Sequence, residues 1–169
     1  AELEGVAAEQ FLHAQDALGD EAERRRAAGL LEAAAQRLRL SDPPTSERYL
    51  AATIKALAPV AGADEAERMF ALKVDHHRAL FEQGRLADGD VLYDDLSATA
   101  SDPTKLLEPT RIQIYGQMNR RRMQEGMQLG LGLLARLDLP KPDNVMPAIG
   151  EGFKRVTIWY RGEDKAKEL

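Results

Sequence analysis

The chain contains no cysteine. This excludes disulfides and thiolate metal sites, and it fits a cytosolic setting. Aromatic residues make up only 5% of the chain, so the core must be built from aliphatic side chains. No apolar run approaches the roughly 20 residues that span a bilayer, and no basic stretch followed by an apolar one marks a signal peptide at the N-terminus. Positive charge is also in deficit, with 23 Lys and Arg against 28 Asp and Glu and a net charge of −5. That balance argues against nucleic-acid binding, which needs a net basic face. Strand signals are nearly missing as well. Val156 to Tyr160 has β propensity but nothing to pair with.

What remains is helix-former chemistry. Ala, Leu, Glu and Arg dominate 169 residues, and the apolar spacing is helical almost throughout. Ala7, Phe11, Ala14 and Leu18 form a first stripe, which Gly19 ends. Asp20 reads as an N-cap with Glu23 three places on, followed by Ala27, Leu31, Ala34 and Leu38. Ser41-Asp42-Pro43-Pro44 breaks the chain, and a short helix with Leu50, Ile54 and Leu57 closes at Pro59. Asp64 reads as the cap of the next helix. That helix carries two stripes, Met69/Leu72/His76/Leu80 and Phe70/Val74/His77/Phe81, as a helix packed on two sides would. Gly84 turns the chain into a face of Leu86, Gly89, Tyr93 and Leu96. After Ser101-Asp102-Pro103, the next helix starts at Pro109 or starts at Pro103 and kinks. Its face is read as Leu107, Ile114 and Met118. Asn119 to Arg121 is a turn, and Met123, Met127, Leu131 and Leu134 carry the partner helix. A last helix is read from Asp143 or Asn144, with Ile149, Phe153, Val156 and Tyr160.

The turns at Gly84 and near Asn119 are spaced by about 35 residues, close to the period of helix-hairpin repeats. The expected fold is all-α, a tetratricopeptide-like α-solenoid of antiparallel helical hairpins. Residues 1–169 read as a single helical-repeat domain. Because the first residue is Ala, it is expected to be a fragment of a longer protein.

Residues from about 20 to 140 resemble the helical-repeat region of large bacterial multidomain signalling ATPases. In those proteins a STAND or AAA-type ATPase core stands with serine/threonine kinase, GAF and histidine kinase domains. Gly19-Asp20-Glu21-Ala22-Glu23-Arg24-Arg25-Arg26 is similar to that region's capped helix start. Arg111-Ile112-Gln113-Ile114-Tyr115, Leu129-Gly130-Leu131 and Leu137-Asp138-Leu139-Pro140 are similar to its last hairpin. The resemblance implies a linker, oligomerisation or ligand-sensing role without catalysis.

The motifs that might carry chemistry are few. Asp75-His76-His77 contains metal-binding residue types, but neighbouring helical positions point about 100° apart. A small metal-binding protein using His13, His76 and His77 is a rival reading, as is a ligand-sensing regulatory domain with a small-molecule pocket. Gly130-Leu131-Gly132 matches part of a dinucleotide fingerprint without the strand that the fingerprint needs. Its glycines read as close helix packing. Arg120 to Arg122 read as a solvated turn, and Asp90 and Asp94 as an exposed acidic face. No catalytic, cofactor or metal residue is assigned. The expected partner is a protein, either a flanking domain of the same chain or another signalling protein. Neither nucleic acid nor membrane is expected, and a homo-oligomer is left open. Partner binding is placed in the groove lined by the first helix of each hairpin, Asp64–Gln83 and Pro103–Met118. Its polar candidates are Lys73, Asp75, Arg78, Arg111, Gln113 and Gln117, with Trp159 and Tyr160 as aromatic anchors.

Overall fold

The computed structural model describes residues 2–14 and 19–140, and every element among them is helical. In order these are α1 Glu2–His13, α2 Glu21–Leu38, α3 Pro43–Leu57, α4 Ala66–Glu82, α5 Leu86–Thr99, α6 Leu107–Asn119 and α7 Met123–Arg136. Short 3-10 turns at Ala63–Glu65 and Pro103–Leu106 lead into α4 and α6. Each helix packs on its neighbours in sequence, α1 also reaches α3, and α6 also packs on α4. None of the described helices is long and apolar enough to cross a membrane.

The caps explain where helices begin. Asp20 caps α2 by accepting the Glu23 backbone N–H at 2.7 Å, while Glu23 Oε2 accepts the Gly19 N–H at 3.1 Å. Asp42 caps α3 through the Thr45 N–H, and the two prolines that follow sit in the first helical turn. A proline costs nothing there, because that turn's N–H groups have no helical partner. Pro43-Pro44 is therefore a helix start and not a break. Pro109 sits likewise in the first turn of α6, after the turn that Asp102 caps through Thr104. Asp64 does not cap α4: it lies inside the 3-10 turn, and α4 has no side-chain cap. Helix α1 ends at His13, before Gly19, and Leu18 lies outside the described residues.

Helices α2 and α3 build the main core. Ala27, Ala28, Leu31, Ala34 and Ala35 meet Tyr49, Leu50, Ala52, Ala56 and Leu57, all buried. Alanine faces let the backbones approach closely, and Ser46 Oγ donates to the Ala35 carbonyl at 2.8 Å across the pair. Tyr49 donates to Glu9 of α1 at 2.7 Å. Burial, with Glu9 beside it, pushes its hydroxyl up to about 12. Arg68 of α4 pairs with Glu32 of α2 at 2.7 Å. Arg25 joins Glu21, the Val60 carbonyl and Glu65.

The second half repeats one device. At the end of α4, Gly84 has φ +72°, its N–H bonds the Phe81 carbonyl and the Arg85 N–H bonds the Leu80 carbonyl. At the end of α6, Arg121 has φ +62°, its N–H bonds the Met118 carbonyl and the Arg122 N–H bonds the Gln117 carbonyl. Both are Schellman closures, 37 residues apart, slightly more than the interval read from the sequence, and α7 ends on a third, with Asp138 at φ +55°, its N–H on the Ala135 carbonyl and the Leu139 N–H on the Leu134 carbonyl. Gly89 and Gly126 occupy the same place after each turn. A Cβ at Gly89 would lie 3.8 Å from the His77 ring, and one at Gly126 would lie 3.5 Å from the Ile114 carbonyl.

Candidate protein-interaction surface

Of the polar side chains assigned to the groove, three come together. Arg78 donates to Asp75 at 2.9 Å on α4, and its Nε lies 3.7 Å from Glu108 of α6. Arg111 grips both oxygens of Glu108 at 2.8 Å and stands over the Tyr115 ring, 5.6 Å from its centroid. The two arginines hold the Glu108 carboxyl below its usual range, Arg111 foremost. The result is a charged ladder of alternating sign, Asp75–Arg78–Glu108–Arg111, running across two helices that are not neighbours in sequence. Glu108 was not among the sequence candidates. It sits three residues before Arg111, a spacing that places the two on one helix face.

Lys73, Gln113 and Gln117 do not belong to this surface. Lys73 points to the other side of α4 and pairs with Asp95 of α5 at 2.6 Å. Gln113 is buried. Its amide donates to Asp90, so its carbonyl is the acceptor for His77 Nε2–H at 3.1 Å. Asp90 also takes both arms of Arg120 at 2.5 and 2.7 Å, which holds its carboxyl below the usual range. Arg120 and Asp90 are thus a half-buried ion pair and not freely solvated side chains. Gln117 is half-buried where α6 meets α7, and its Oε1 is buried without a donor. Trp159 and Tyr160 lie outside the described residues, as does the strand candidate from Val156.

The two adjacent histidines diverge. His76 bonds the buried Glu47 of α3 at 2.7 Å, and the other Glu47 oxygen accepts from Arg85 at 2.9 Å. His77 faces α6 instead, and His13 lies on α1 beside Glu9. Among the described residues no group of three or more His, Asp or Glu side chains is placed to hold a metal ion.

Two further surfaces flank the terminal helix pair. On one side a cleft of about 420 Å³ opens between α5 and α7, with Tyr93, Asp94, Gln117, Glu125 and Arg136 on its walls. Arg136 spans it to the Ser97 and Ala100 carbonyls. On the other side much of the stripes read from sequence as core faces water, although Leu131 and Leu134 are half-buried. Leu107, Tyr115, Met118, Met123 and Met127 are all exposed, and Ile114 is only half-buried against Gly126 and Gly130. The buried side of α6 is Pro109, Thr110, Ile112, Gln113 and Gly116. Gly130 packs as the sequence implies, while Gly132 has nothing near it.

Comparison with protein families, with curated proteins and with solved structures returns no match.

Proposed function

We propose that this chain is a non-catalytic helical-repeat module, tetratricopeptide-like in its stacking, that binds a protein partner or couples domains in a cytoplasmic regulatory protein. The observation that carries the reading is the Asp75–Arg78–Glu108–Arg111 ladder. It joins the first helices of two successive turn-related pairs, which is where stacked hairpins present their inner face. Its signs alternate, which suits a partner segment of mixed charge better than a polyanion. The Schellman closures that end α4 and α6, spaced by 37 residues, support the repeat. Proteins co-purifying with the wild-type chain and with an Arg78→Glu/Arg111→Glu variant test this. A defined partner lost from the variant, with affinity down about tenfold or more and helicity unchanged, supports it. Equal recovery removes the ladder from the account.

A second reading, a ligand-sensing domain, is favoured by the cleft between α5 and α7, where the Gln117 carbonyl lacks a donor. Binding there raises the unfolding temperature with ligand concentration, and Gln117→Leu abolishes that rise.

A further inference from the structure

The charged ladder has a property that a patch of one sign lacks. From end to end it reads acid, base, acid, base, as Asp75, Arg78, Glu108 and Arg111. From the far end it reads base, acid, base, acid. A second ladder laid over it in the opposite direction therefore sets Arg111 against Asp75 and Glu108 against Arg78, and the same pairs recur beyond the centre. Laid in the same direction, it sets every charge against its like. Slipped by one step from the opposed register, it again faces like with like.

Exposure follows the same symmetry. The end side chains are the more open, 53% for Asp75 and 58% for Arg111, and the middle ones the less, 30% for Arg78 and 39% for Glu108. Each group thus meets one of matching depth. The spacing matches too, since the acid stands three residues before the base on both helices.

Exposed ion pairs contribute little attraction of their own, so their part is to fix register and orientation. Apolar surface beside the ladder supplies the attraction. Leu107, Tyr115 and Met118 are 54%, 49% and 40% exposed. They fall with Arg111 at helical intervals along one face of α6, and the Arg111 guanidinium already stands over the Tyr115 ring.

We propose that the partner of the ladder is a second copy of this chain, joined face to face about a two-fold axis that crosses the ladder at right angles between Arg78 and Glu108. Each contact is then made twice, as a closed dimer requires. The inference rests on the ladder being a protein-binding surface and adds the identity of the protein.

Sedimentation velocity on the full chain over a range of concentrations tests it. Wild type is expected to dimerise. Arg78→Glu/Arg111→Glu makes the ladder acidic throughout, and Asp75→Arg/Glu108→Arg makes it basic throughout. Each variant alone is expected to self-associate about tenfold or more weakly than wild type. Mixed in equal amounts, the two are expected to restore the dimer, because opposite ladders then pair in full. A wild type that stays monomeric overturns the proposal. So do variants that dimerise as well as wild type, or a mixture of variants of wild-type helicity that stays monomeric. A second measurement needs no variant. Raising the salt from about 0.05 to about 0.5 M is expected to loosen the wild-type dimer severalfold, and a dimer indifferent to salt is held by another face and overturns the proposal. If wild type is monomeric while a different protein still co-purifies and is lost from Arg78→Glu/Arg111→Glu, only the second copy falls. If neither is seen, the ladder falls as an interface.

Discussion

His77 shows how one residue is held and what that costs. Asp90 orients the Gln113 amide, the Gln113 carbonyl takes the Nε2 proton, and Nδ1 is left as a bare acceptor with no partner. A second proton at Nδ1 would be buried with nothing to receive it. Burial accordingly pushes the imidazole below its ordinary value, against the pull of Gln113 and Asp90 and with a smaller push from His76 and Arg78. A histidine with a lowered folded value binds its proton more weakly than the unfolded chain does. Its stability is complete above about pH 6.5 and is lost as pH falls through the folded value. The unfolding midpoint is expected to drop below pH 6.5, and His77→Gln is expected to flatten that drop. An unchanged slope in the variant would remove His77 as its source. Arg121 carries a backbone conformation that suits glycine, so Arg121→Gly is expected to stabilise by about 1 kcal/mol and raise the midpoint by about 2–4 °C. The reverse move, Gly84→Ala, costs about as much, and equal midpoints for all three chains would contradict the turn geometry. Gly84 was legible in the sequence because glycine advertises a left-handed turn. Arg121 was not legible as one, because the Schellman bonds are backbone bonds and leave no mark on the side chain. The burial of Gln113 was equally hidden, since its partners Asp90 and His77 lie 23 and 36 residues away in the chain.

At the scale of elements, the apolar period placed all seven described helices, and the prolines and glycines located most ends. The sides were harder. Periodicity finds a stripe but does not say which neighbour covers it. On α2 and α3 the stripes face each other, and those read as core are core, with Leu38 and Ile54 at its partly buried edge. On α6 the sequence offers two faces. Leu107 and Met118 are open, whereas the buried face holds Pro109, Thr110, Ile112, Gln113 and Gly116. Its small and polar members are met from outside: Gly116 by Phe81 and Leu86, Gln113 by His77 and Thr110 by Tyr93. The crossing of α6 and α7 gives a sharp test. A Cβ at Gly126 would stand 3.5 Å from the Ile114 carbonyl and 3.6 Å from Gln117 Cβ, so alanine fits and nothing larger does. Gly126→Ala is expected to be neutral or to stabilise by up to about 1 kcal/mol through helix propensity. Gly126→Leu is expected to destabilise by about 1–3 kcal/mol through overpacking. Denaturant midpoints separate the two, and a tolerated leucine would mean the helices are not in close contact.

For the whole molecule, the described chain divides by chemistry. The α2–α3 half is an alanine and leucine core, while the α4–α6 half is tied by the His77–Gln113–Asp90–Arg120 chain and by Tyr93 with Thr110. A junction held by directional bonds fixes how one helix pair sits on the next. This is what a module needs if it is to present a surface of defined shape. Three surfaces result: the charged ladder over α4 and α6, the cleft between α5 and α7, and the apolar face of α6 and α7. The sequence reading named Asp75, Arg78 and Arg111 of the first but grouped them with Lys73, Gln113 and Gln117, which lie elsewhere, and the places of the other two depend on which helix packs where. The central claim is that a protein partner sits on the ladder. Site-specific photocrosslinking in the native cell tests it directly, with the crosslinker placed in turn at Arg78, at Gln128 on the cleft and at Val91 on the outside of α5. A discrete adduct from position 78, lost when Arg111→Glu is added and missing from positions 128 and 91, is the predicted result. An adduct from position 128 or 91 with none from 78 would contradict the account.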